Sequence, residues 1–170
     1  MTPLPPEAVS GGNLTCWRLE KEVYFSGWEK GEGAYQFGGR FSSKGRRVIY
    51  TSLEPSTAIM EVAVHKGFHV LDTDPHVLLS ISIPVGAGDT TIVQPADVSN
   101  PNWLRPGYPS PNQQQFGDMQ LDKTGILILP SVVSSHSWNC LIDVARFPKL
   151  ASYLKSQERF ALDTRLVPSP

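Results

Sequence analysis

The chain has 170 residues, with 15 Lys and Arg against 16 Asp and Glu and a formal net charge of -1. That length builds one domain with a proper core and is too short for two ordinary ones, while the near-neutral charge offers no basic excess for counterion release and argues against nucleic acid as a partner. No apolar run approaches the ~20 residues of a membrane span, and M-T-P-L-P-P-E lacks the basic start and apolar stretch of a secretory signal, so a cytoplasmic location without membrane contact is expected.

The 15 prolines and 14 glycines cut the chain into short elements. Residues 1–12 read as a flexible arm, ordered only where it docks, and residues 13–170 as the domain. Leu14 to Leu19 reads as a first strand, with Arg18 in it as either a phosphate partner or an edge charge. Residues 26–39, with five glycines, read as a long loop that suits the wall of a ligand site. Val48 to Ser52 is a short strand. A helix is predicted from Pro55, tolerated in a first turn, to Lys66, before the stop residue Gly67. His76 to Pro84 is a strand by its alternation. Residues 85–112 read as irregular, with a short helix over 96–104. A helix over 111–121, strands over 126–129 and 138–144, a short helix over 149–156 and a last strand over 159–162 complete the reading. Strands outnumber helices without alternating with them, which indicates a mixed α+β domain. Cys16 and Cys140 lie in apolar strands and read as buried reduced thiols.

The predicted 55–66 helix carries the clearest chemical signal. Ala58, Ile59, Met60, Val62, Ala63 and Val64 cover most of its circumference, which predicts a largely buried helix. Thr57, Glu61 and His65 stack on the one polar stripe, facing either solvent or a pocket. Arg40 follows Gly38-Gly39, where backbone can approach a ligand closely and a guanidinium can grip phosphate. Tyr50 ends a strand and can stack on a flat heterocycle. Arg46 and Arg47 sit in a turn and read as solvated. Ser131 follows a proline at the end of a buried strand. The histidines lack zinc-site spacing, and no dinucleotide, phosphate-loop or serine-hydrolase motif is present.

At these residues the sequence resembles the RES family, toxins of a bacterial toxin–antitoxin type named for an arginine, a glutamate and a serine. The resemblance runs from 16 to 166. It is carried in order by W-R-L at 17–19, G-G-R-F at 38–41, V-I-Y-T-S at 48–52, A-I-M-E at 58–61, F-G-D at 116–118, L-P-S at 129–131 and L-D-T-R-L at 162–166. Phe41 stands where a tryptophan is common, Gln120 where an aromatic is often seen, and Asp143-Val144 replaces the usual N-P. The resemblance implies a compact α+β domain with a split central sheet, similar to ADP-ribosyltransferases, and a cleft that takes NAD as substrate with no further cofactor.

By motif the family residues fall on Arg40, Tyr50, Glu61 and Ser131, with Ser134 and Ser135 close behind the last. The implied activity is cleavage of the nicotinamide–ribose bond by hydrolysis or phosphorolysis. Arg40 and Arg18 would fix the pyrophosphate, Tyr50 would pack against the nicotinamide or its ribose, Glu61 would stabilise the cationic sugar, and Ser131 would position a ribose or phosphate oxygen. Transfer of ADP-ribose to a protein, and a silent partner-binding module, are the alternatives. An Xre-like antitoxin is the implied partner, and a homo-oligomer or an antitoxin complex would suit the family.

Overall fold

The computed structural model describes residues 1–163 and 165. Thr164 and Leu166 of the L-D-T-R-L motif lie outside the described residues. A short helix α1 (Glu7–Ser10) leads into β1 (Gly12–Lys21). The first residues dock: the Thr2 amide donates to the His136 carbonyl at 2.6 Å, and the Trp138 indole donates to the Thr2 carbonyl at 2.7 Å.

Residues 26–39 depart from the expected loop. A 3-10 segment (Glu22–Lys30) precedes a one-and-a-half-turn helix α2 (Glu32–Phe37). The glycines there punctuate rather than loosen: Gly31 takes the left-handed conformation at φ 62° between the two pieces. Strand β2 (Val48–Ser52) and helix α3 (Pro55–Lys66) fall where the sequence places them, with Pro55 in the first turn and Gly67 beyond the last.

Helix α4 (Phe68–Thr73) returns the chain to β3 (His76–Val85), which pairs with β1 along its whole length, from Gly12↔Val85 to Lys21↔His76. The stretch after it, expected to be irregular, holds a strand β4 (Thr90–Ile92) and two 3-10 turns at Pro95–Asp97 and Pro101–Leu104. Helix α5 (Pro111–Thr124) starts on a Ser110 hydroxyl that accepts the Gln113 amide at 3.2 Å. Strands β5 (Ile126–Pro130) and β6 (Trp138–Asp143) follow. The expected helix over 149–156 is a 3-10 turn (Leu150–Tyr153) that runs into β7 (Leu154–Phe160). β7 starts well before the strand expected at 159, because it is an edge strand with Lys155 to Arg159 exposed and so shows no alternation.

The seven strands form one sheet in the order β4-β5-β6-β2-β1-β3-β7. It is a split sheet, because β2 and β1 meet at a single residue pair, Trp17↔Ser52. The pleat sends Ile126 and Ile128 into one core with Leu14, Leu79 and Ile81, and sends Leu127 and Leu129 into a second with Phe41, Val48 and Leu121. A third, smaller core under α3 and α4 joins Ala63 and Leu71 to Leu19 and Leu78. α3 is less buried than its composition suggests. Thr57, Ala58 and Ala63 are buried, whereas Met60 is 38% and Val64 59% exposed. Ile59 and Val62 pack half-buried against the third core while Met60 and Val64 face out, so only one face is covered.

Candidate active site

Where the two half-sheets diverge, a cavity of about 850 Å³ opens, within the range of roughly 300–1,000 Å³ usual for small-molecule sites. Its wall includes Arg18, Arg40, Tyr50, Glu61, Lys66 and Asn139. Four of the five residues singled out in the sequence therefore share one cavity, although they come from β1, the 38–47 turn, β2 and α3. Ser131 stands behind the wall.

Glu61 lies on the second turn of α3, its side chain 22% exposed. Its Oε1 accepts two hydrogen bonds, from the Ser131 hydroxyl at 2.9 Å and from the Asn139 amide nitrogen. Its Oε2 lies 3.9 Å from Nε2 of His65, one turn on. The polar stripe thus grades from buried Thr57 through Glu61 at the cavity to exposed His65.

Ser131 takes a different place from the one expected. It is buried, and its oxygen accepts the amides of Val133 and Ser134, each at 3.2 Å. Its one proton is left for Glu61. Ser131 therefore holds the carboxylate rather than presenting itself to a ligand. Of its neighbours, Ser134 bonds Ser137 at 2.9 Å and Ser135 is exposed.

Tyr50 gives the cavity its ring but not its hydroxyl. The phenol oxygen accepts the Phe41 amide at 3.1 Å and shares a hydrogen bond with the Ser42 hydroxyl at 2.9 Å. Burial pushes its pKa up to about 12, partly offset by these hydrogen bonds. Gly39 must be glycine for this to happen, since a Cβ there would lie 2.2 Å from the phenol oxygen. The same economy binds the motif at 116–118 to the one at 38–41: a Cβ on Gly117 would lie 2.0 Å from the Phe41 carbonyl oxygen, and the Asp118 carboxylate accepts the Ser43 amide at 3.2 Å.

The two arginines differ. Arg40 donates to the backbone carbonyls of Arg105 at 3.3 Å and Gly107 at 2.9 Å. Those acceptors are neutral and no carboxylate among the described residues pairs with it, so an anion would compete for the same protons. Arg18, in contrast, is committed. It donates to the Glu20 carboxylate from Nε at 2.9 Å and from a terminal nitrogen at 2.5 Å, and to the Tyr50 carbonyl at 2.9 Å. Lys66 lines the same cavity and is in no ion pair among the described residues. Burial lowers its pKa, with Glu20 opposing. Sequence reasoning passes over Lys66 and Asn139, because a terminal helix lysine and a strand asparagine carry no motif of their own.

Arg46 also departs from the solvated role expected of it. It donates to the Asp118 carbonyl at 3.0 Å, lies 2.8 Å from the Asp122 carboxylate and pairs with Asp143. Asp143, the departure from the family's N-P, is thus the buried counter-charge of Arg46. Arg47 is half-buried, paired with the Glu32 carboxylate at 2.6 Å and stacked on the Tyr35 ring with 4.3 Å to its centroid. Cys16 and Cys140 are both buried and free. Among the described residues no His, Cys, Asp and Glu cluster is placed to hold a metal ion, and no helix is long and apolar enough to cross a membrane.

Comparison with known proteins bears on this geometry. The family model of the RES domain matches residues 15–163. A protein of Photorhabdus laumondii named Toxin Res is 30% identical, over 91% of this chain and 97% of its own length. A Pseudomonas putida protein of the same name is 29% identical, over 90% and 99%. The Prs ADP-ribosylating toxin of a Sphingobium species is 24% identical, over 89% and 95%. Among solved structures, a chain of the M. tuberculosis MbcT-MbcA toxin-antitoxin complex shares the fold, with a TM-score of 0.65 at 15% identity over 89% of this chain and 86% of that one.

Proposed function

The chain belongs to the RES domain family, and from that premise we propose that it is a toxin that consumes NAD by breaking the nicotinamide–ribose bond. The observation that carries the reading is the carboxylate of Glu61, fixed through one oxygen at the wall of a cavity that also holds the Tyr50 ring and the guanidinium of Arg40. The C1′–N bond breaks with both electrons moving to the pyridinium nitrogen, so nicotinamide leaves neutral without needing an acid. The positive charge passes to the ribose, as in glycoside cleavage. Glu61 stabilises that charge and accepts from the ribose hydroxyls. Tyr50 supplies a flat apolar surface, and Arg40 and Lys66 are the cations for the diphosphate. Water or phosphate then attacks C1′; with water, one proton goes to solvent.

A second reading rests on the ADP-ribosylating name of the Sphingobium relative: a protein side chain takes the place of water. The experiment follows NAD loss and products by chromatography, with and without inorganic phosphate, and repeats it with labelled NAD in lysate. Free ADP-ribose or its 1″-phosphate supports the first reading, label on a protein band the second. Glu61→Gln keeps the shape and loses the charge, so kcat falls by about two orders of magnitude or more while KM changes little. No NAD loss at high protein concentration would leave a silent partner-binding module. An active enzyme of this kind would injure its own cell, so an Xre-like antitoxin covering the cleft is the partner that fits. Co-purification with a co-expressed small helix-turn-helix protein checks it.

A further inference from the structure

Glu61 is held by two donors on the same oxygen, and the family motifs account for only one of them. The other, Asn139, sits on β6 directly opposite Ser52 of β2 in the antiparallel register. Its two amide ends are easily exchanged in space but opposite in chemistry, since one donates and one accepts. The Glu61 carboxylate, which only accepts, requires the nitrogen end, and the Ser52 hydroxyl donates to Oδ1 of Asn139 at 2.8 Å and so braces the amide from its other end. Ser52 is 2% exposed, so water does not compete for that bond.

We propose that Asn139 is a positioning residue for Glu61 and that Ser52 holds its amide in place from the facing strand. Ser131 and Asn139 together saturate Oε1 and leave Oε2 as the oxygen available to a ligand. The carboxylate is thereby presented edge-on, through one oxygen, rather than swinging freely on the helix. Two strands of one half-sheet, β2 and β6, thus aim a residue of α3, which makes the carboxylate's position a property of the sheet. This rests on the NAD-consuming reading for its kinetic consequence and on the hydrogen-bond geometry alone for its structural one.

The test pairs Asn139→Leu, similar in size but without donor or acceptor, with Ser52→Ala and Ser52→Thr. Expected results are a kcat for NAD loss lower by about tenfold or more in Asn139→Leu, with KM within about twofold. Ser52→Ala should lose part of that rate, and Ser52→Thr, which keeps the hydroxyl, should recover most of it. A crystal structure of either deficient variant should show the Glu61 carboxylate displaced from its wild-type position. Wild-type kcat in folded Asn139→Leu, or a Glu61 carboxylate unmoved in both variants, would overturn the proposal. If the wild type consumes no NAD, the functional reading fails by itself, and the Glu61 position in the variant structures still decides the role of Asn139.

Discussion

At the residue scale, the phenol of Tyr50 has a measurable consequence. An ordinary tyrosine titrates near 10 and this one near 12, chiefly because burial disfavours the phenolate. Above pH 10 the unfolded chain releases this proton while the folded chain keeps it. Stability from this group is therefore intact below pH 10 and is lost as pH rises to about 12, in total roughly 2–3 kcal/mol. Tyr50→Phe removes that alkaline decline. It also leaves the Phe41 amide without its partner, at a cost of about 1–3 kcal/mol at neutral pH. Urea midpoints for both proteins between pH 8 and 12 check this; parallel curves across the window would disprove it. The same residue marks what the sequence reveals. A strand tyrosine, an arginine after two glycines and a lone carboxylate in an apolar helix are visible as types, and they line one cavity. The direction of each polar tip is not visible, because it depends on partners far along the chain. Nothing local tells that Tyr50 turns its hydroxyl to Ser42, or that Ser131 turns its own to Glu61, 70 residues away.

At the scale of elements, close approach decides more than propensity. Replacing a helical glycine by alanine normally stabilises a helix by up to about 1 kcal/mol. Gly33 in α2 would have nothing within 4 Å of an added methyl group, so Gly33→Ala should follow that rule. Gly117 in α5 should reverse it. Its added methyl would meet the Phe41 carbonyl oxygen at 2.0 Å and the Phe41 Cβ at 2.7 Å, and backbone does not yield as a side-chain tip does. Gly117→Ala should cost about 1–3 kcal/mol net by pushing α5 off the 38–43 turn. Denaturant midpoints of opposite sign for the two variants are the expected outcome. This explains why F-G-D occurs together with G-G-R-F although none of its three residues lines the cavity. Elements with strong patterns, such as β5, are legible because I-L-I-L buries both faces. β7 and β4 are not, because edge strands owe their place to a partner strand rather than to their own alternation.

At the scale of the molecule, the cavity exists because the sheet is nearly two sheets. One register pair, Trp17↔Ser52, joins the halves, and beyond it β1 and β2 part. Arg18 spans the gap, reaching from β1 to the Tyr50 carbonyl of β2 while its charge is met by Glu20. The split is implied by resemblance, but the brace is not, because an arginine in W-R-L reads equally as a phosphate ligand. Position distinguishes the two roles. A ligand arginine exposes its donors to the cavity; this one has two edges of its guanidinium engaged, opposite a carboxylate whose residue is only 8% exposed. Arg18→Ala should then strand the Glu20 charge and free the Tyr50 carbonyl, at a cost of about 3 kcal/mol. Adding Glu20→Ala removes the stranded charge, so the double variant should be more stable than the single one by about 1 kcal/mol or more. Substrate KM should improve along with it, because the unpaired Glu20 carboxylate, which lines the cavity and would repel a diphosphate, is gone. A double variant that regains stability while its KM stays as poor as that of Arg18→Ala would return Arg18 to direct contact with the diphosphate.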